Sequence, residues 1–101
     1  MDKGNLMMIK IKKSVKPGDA LSESGNNYSL ILFNDDVNTF EYVVVTLMKD
    51  CDHDAEQAWQ CALIAHHNGK CEVKKGMKED LRRRCSIMIK KGLNVEIIKK
   101  P

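Results

Sequence analysis

Residues 28–33, Tyr-Ser-Leu-Ile-Leu-Phe, are apolar at both parities and stop abruptly on Asn34-Asp35-Asp36. Successive side chains on a strand point to opposite faces, so Tyr28, Leu30 and Leu32 face one way and Ser29, Ile31 and Phe33 the other. A strand that is apolar on both faces belongs in the middle of its sheet. The remaining chain must therefore supply strands on either side of it and a layer to cover it.

The downstream pattern supplies both. Phe40, Val43, Val44, Leu47 and Met48 recur with helical spacing, and either Asn38 or Thr39 can cap that helix, with Glu41 at capping-box distance from Asn38. The β-branched run Val43 to Thr46 lowers helix propensity, so packing must hold the segment. Asp54, with Gln57 three residues on, opens a second helix that runs to about His67, and Gly69 is placed to end it in the left-handed conformation. Cys71 to Lys75 alternates as a lysine-guarded edge strand. Gly76 introduces a third helix, with Glu79 and Asp80 in its first turn, Lys90 and Lys91 in its last, and Leu81, Cys85, Met88 and Ile89 as its apolar stripe. After Gly92, Leu93, Val95 and Ile97 alternate as a last strand. The order β-α-α-β-α-β predicts an α+β fold in which a three-stranded antiparallel sheet packs against three helices.

Composition sets the outer bounds. A chain of 101 residues has room for one core, which excludes a large cofactor-bearing enzyme. No apolar run reaches the ~18 residues a membrane span requires, and residues 1–16 carry no signal-peptide core, so a cytoplasmic protein is expected. Residues 1–26 read as a flexible extension, with a short strand-like alternation at Met7, Ile9 and Ile11 and a linker composition from Ser22 to Asn27. Residues 27–101 form the domain. Cys51, Cys61, Cys71 and Cys85 lack the C-x-x-C spacing of a zinc site. Cys51 and His53 could share a metal only with ligands from distant segments, so reduced, partly buried thiols are expected, with no metal and no cofactor. Of the 17 basic side chains, eleven lie in residues 70–100 against Glu72, Glu79, Asp80 and Glu96. That imbalance reads as a solvated helix face; its other reading is a basic third helix (Lys78, Arg82, Arg83, Arg84) that meets an acidic surface or nucleic acid. The basic residues are not interleaved with aromatics as single-strand binding requires, so no nucleic-acid partner and no membrane partner is expected.

Three features carry possible chemistry: the strand end Asn34-Asp35-Asp36, the pair His66-His67, and the small residues Ala58, Ala62 and Ala65. Each also has a plain structural reading, as turn chemistry, a helix terminus and a close helix contact. With no nucleophile beside a base, no phosphate loop and no H-E-x-x-H, an enzyme is not expected.

Taken together, Tyr-Ser-Leu-Ile-Leu-Phe-Asn-Asp-Asp (28–36), Phe40-Glu41-Tyr42-Val43 and Ala65-His66-His67-Asn68-Gly69-Lys70 closely resemble the ClpS family, adaptors that deliver substrates to an ATP-dependent Clp protease. The resemblance covers residues 27 to about 99 and carries the same segment order. It implies a monomeric binding protein that holds the free N-terminus of a substrate whose first side chain is bulky and apolar (an N-degron), with a Clp-family AAA+ unfoldase as partner. The positions that match the amino-group site are Asn34, Asp35 and His66. An α-ammonium has donors and no acceptor, so converging acceptors of these kinds suit it.

The resemblance places the side-chain pocket at Phe40, Val43, Ala62, Ala65 and Val95. Here the chain departs from the family, which often has Met at 40, Met or a larger aliphatic at 62 and Val at 65. Asn38-Thr39 stands where Thr-Pro is common. Two walls shrink and one becomes a rigid ring, which implies a deeper or reshaped pocket. Glu79 and Arg84 fall on the face expected to dock the unfoldase, while Val37 replaces an aromatic residue usual there.

Overall fold

The computed structural model describes residues 27–101. The expected extension 1–26 and the strand-like alternation at Met7, Ile9 and Ile11 lie outside the described residues. Six elements follow in the order read from the sequence: β1 (Tyr28–Phe33), α1 (Phe40–Asp50), α2 (Ala55–Asn68), β2 (Lys70–Gly76), α3 (Lys78–Lys90) and β3 (Val95–Lys99).

β1 is the central strand, paired antiparallel with β2 on one side and β3 on the other. Both parities of the strand are buried, Leu30 and Leu32 in the main core and Ser29 and Ile31 on the opposite side. The pairing with β2 shifts register between Leu30 and Ile31, whose partners are Lys74 and Glu72, and so leaves Val73 as the extra, bulged residue. Its carbonyl is met by the buried ring of His53, Nε2 to O, at 2.6 Å. Burial alone pushes the His53 pKa down, but the Cys61 thiol and this carbonyl draw it up, and the balance is upward.

Helix boundaries follow local chemistry. Thr39, not Asn38, caps α1, its hydroxyl accepting from the Tyr42 N–H at 3.0 Å. The expected capping box between Asn38 and Glu41 therefore does not form. The buried face of α1 is Val43, Thr46 and Leu47, with Met48 largely outside. Thr46 tolerates burial because its hydroxyl donates to the Tyr42 carbonyl at 2.8 Å. Asp54 caps α2 through the Gln57 N–H at 2.8 Å, and Gly69 closes it at φ 94°. α3 has no side-chain cap; Leu81, Cys85 and Met88 face the core, while Ile89 is turned to solvent. The core is built from Leu30, Leu32, Leu47, Leu81 and Met88, each contributing about 1.5–3 kcal/mol by its removal from water. All four cysteines are buried thiols within it, and burial pushes the Cys51 thiol up to about 12.

One cross-link organises the side away from the central strand. Arg84 of α3, whose side chain is 15% exposed, donates to the Asp50 carbonyl, to Asp52 and to Asp80 at 2.8, 3.1 and 2.8 Å. Asp52 is the one described non-glycine residue with positive φ, 60°, a conformation disfavoured for a side chain with a Cβ. Arg84 thus fastens the α1–α2 turn to α3.

Candidate functional site

The site begins with two backbone hydrogen bonds at the end of β1. The Phe33 N–H donates to the Asn94 carbonyl, and the Asn34 N–H donates to the Gly69 carbonyl, both at 2.9 Å. The second bond matters most, because Gly69 is the C-terminal cap of α2 and His66 stands one turn before it. A strand end and a helix end are thereby held side by side, with Asn34-Asp35 on one and Ala65-His66 on the other.

Between them lies a cavity of about 270 Å³. Asn34, Asp35, Asp36, Asn38 and His66 form its polar part, and Leu32, Phe33, Phe40, Val43, Ala62 and Ala65 its apolar part. Seven of the eight binding positions implied by the resemblance therefore meet in one place. The eighth does not: Val95 is buried beside Leu32, its cross-strand partner, and contributes to the core rather than to the cavity lining. Ala62 and Ala65 are themselves almost fully buried, so their small size sets the depth of the apolar end.

Asp35 is held tightly. Its Oδ1 accepts from the N–H groups of Val37 and Asn38 at 2.7 and 3.1 Å, and its Oδ2 accepts from the Asn38 side-chain amide. Burial raises the carboxyl pKa, but these three hydrogen bonds together outweigh it and hold the group below its ordinary value. The anion is thus fixed in direction and charged. Asn34 donates from Nδ2 to Asp36 at 3.4 Å, which leaves its amide oxygen as an acceptor. The exposed His66 ring stands edge-on to His67, centroids 5.1 Å apart.

Sequence reasoning missed the part played by Asn38. Besides holding Asp35, its Nδ2 donates to the Gly92 carbonyl at 2.9 Å, and the Tyr42 hydroxyl donates to the adjacent Lys91 carbonyl at 2.7 Å. The polar loop is thereby tied to the α3–β3 turn. The Asp-x-x-Asn spacing of 35–38 was the available signal, since Asp commonly accepts from backbone two or three residues on. Trp59 also went unremarked: its indole packs edge-to-face on Phe40 at 4.5 Å between centroids.

The two expected docking charges have different surroundings. Glu79 is exposed on the first turn of α3, and Val37, 91% exposed, projects from the β1–α1 loop. Arg84 is committed to Asp50, Asp52 and Asp80 and presents little of itself to a partner. The basic face of α3 is also less basic than its sequence. Arg83 and Arg84 both bridge Asp80, and Lys78 lies over the Tyr28 ring at 5.9 Å. Among the described residues, no group of three His, Cys, Asp or Glu is placed to hold a metal ion. No helix there is long and apolar enough to cross a membrane.

The architecture is that of a solved small α+β domain, Agrobacterium tumefaciens ClpS2 bound to L-phenylalaninamide. The match has a TM-score of 0.64 at 19% identity and covers 72% of this chain and 95% of that one. The class defined is a small α+β domain built as one sheet under one helical layer. The particular family follows from sequence: the model for ATP-dependent Clp protease adaptor protein ClpS matches residues 23–96, and this chain belongs to that family. The adapter protein ClpS of Sodalis glossinidius is 33% identical over 70 residues, 69% of this chain and 59% of that protein. That of Thermosynechococcus vestitus is 31% identical over 70 residues, 68% of this chain and 74% of that protein. The match to the Sodalis protein thus spans little more than half of its length.

Proposed function

We propose that this protein is an adaptor that binds the free N-terminus of substrates beginning with a bulky apolar residue and presents them to a Clp-type AAA+ unfoldase. One observation carries the reading: a single cavity with Asn34, Asp35 and His66 at its polar end and Phe40, Val43, Ala62 and Ala65 at its apolar end. An N-terminal residue has the same two ends. Its ammonium needs acceptors, which a carboxylate, an amide oxygen and a neutral imidazole nitrogen provide. Its side chain gains by leaving water, at roughly 25 cal/mol per Å² of apolar surface buried. Because Asp35 is oriented before any ligand arrives, little ordering is charged against binding. In this reading the site captures its ligand, and bond cleavage is left to the protease.

The test is fluorescence anisotropy with two labelled peptides identical except for N-terminal acetylation, each starting with Phe. Binding of the free peptide alone supports the reading, and equal binding of the two excludes it. Gel filtration with a Clp-type unfoldase, with and without Glu79→Lys, tests delivery: co-migration that the charge reversal weakens is the expected result.

A further inference from the structure

The Phe40–Trp59 pair reaches beyond capture to selectivity. Phe40 is the first residue of α1, where a side chain has few neighbours of its own helix to hold it. Its side chain lines the cavity, as does Ala62 of α2, whose methyl group offers a ring little to grip. What holds the ring from outside is Trp59. The two rings meet at 72° with centroids 4.5 Å apart, the edge-to-face arrangement aromatic rings prefer.

Trp59 is itself 45% exposed and is not among the cavity-lining residues; it meets the lining through its ring contact with Phe40. On α2 it begins the row Trp59, Ala62, His66, spaced at three and four residues, whose other two members line the cavity. An exposed indole at this point has no core to fill. The aromatic ring it packs on, Phe40, is one wall of the cavity.

We infer that Trp59 is a positioning residue that fixes the Phe40 ring, and that the fixed ring makes the cavity select flat aromatic first side chains over branched aliphatic ones. The inference rests on the N-terminus-binding reading above. A wall held in one orientation offers a ring–ring contact that only an aromatic ligand can use, while a wall free to turn adapts equally to leucine.

The experiment compares wild type, Trp59→Ala and Trp59→Phe by anisotropy, using free peptides that begin with Phe or Leu and the acetylated Phe peptide. The expected result for Trp59→Ala is a fall of about two- to tenfold in the Phe-over-Leu affinity ratio. The preference for a free over an acetylated terminus should stay at its wild-type value, because the polar end is untouched. Trp59→Phe keeps a ring against Phe40 and should restore most of the ratio. A ratio unchanged in Trp59→Ala overturns the inference, as does equal weakening of both free peptides, which would mark Trp59 as a stabilising residue only. Those outcomes leave the adaptor reading standing. A wild-type protein that binds free and acetylated termini alike would instead remove the adaptor reading, and this inference with it.

Discussion

The carboxylate of Asp35 accepts from two backbone N–H groups and the Asn38 amide while lining the cavity, so under the proposed function one side chain would serve both the loop and the ligand. Asp35→Ala should therefore cost stability as well as affinity. Losing this loop acceptor resembles losing a helix cap, about 0.5–2 kcal/mol, which a urea melt would resolve. Loss of the charged partner should lower peptide affinity roughly ten- to a hundredfold, and unchanged affinity in a folded variant would take Asp35 out of the site. Asp35→Asn separates the roles, because it keeps an acceptor oxygen and drops the charge. A carboxyl whose folded pKa is depressed stabilises the fold above its unfolded pKa, near ~3.9, and loses that contribution as pH falls through the folded value. The stability gap between wild type and Asp35→Asn should therefore be complete at about pH 6 and close progressively below about pH 4. At the apolar end, Ala62→Met with Ala65→Val should fill the cavity and shift preference towards smaller first residues. If the alanines were needed instead for helix contact, overpacking would cost roughly 1–3 kcal/mol and show as a lowered melting midpoint.

Elements report a different balance between sequence and structure. All six were legible, because apolar spacing and terminus chemistry agreed: Asp54 and Gly69 bound α2 as read, and both-face burial placed β1 centrally. The stripe readings failed at Met48 and Ile89, which lie in the last turns of α1 and α3 and are exposed. Spacing along one helix cannot report where its partner stops. Val95 illustrates the same limit within the site, since whether a buried residue lines a cavity or the core beside it depends on packing across strands. Arg84 shows it for charge. Its sequence position suggested a docking group, yet the turn at Asp50–Asp52 needs that guanidinium. Arg84→Met should destabilise the domain by roughly 2–3 kcal/mol in urea, whereas Arg82→Met, on the exposed face, should stay within about 0.5 kcal/mol. Glu79→Lys should leave stability alone and weaken unfoldase association. Equal stability of Arg84→Met and wild type would show that the cross-link contributes nothing to the fold.

For the molecule as a whole, the binding loop is tied at both ends to distant parts of the chain: Asn34 to Gly69 at one end, and Asn38 to Gly92 at the other, beside Tyr42 to Lys91. The cavity is therefore a product of the completed sheet. β1 is made before the other described elements but needs both Lys70–Gly76 and Val95–Lys99 to cover its edges, and the second of these follows all the other described elements. Until then an apolar strand stands with at least one open edge, the condition under which nascent chains associate wrongly or recruit chaperones. A chain ending at Gly92 should accordingly show no cooperative unfolding transition and no peptide binding, and a cooperative melt from that fragment would contradict this account. Placing the first described strand at the centre ties the cavity to the strand made after all the other described elements: a chain released before Val95–Lys99 has no completed cavity.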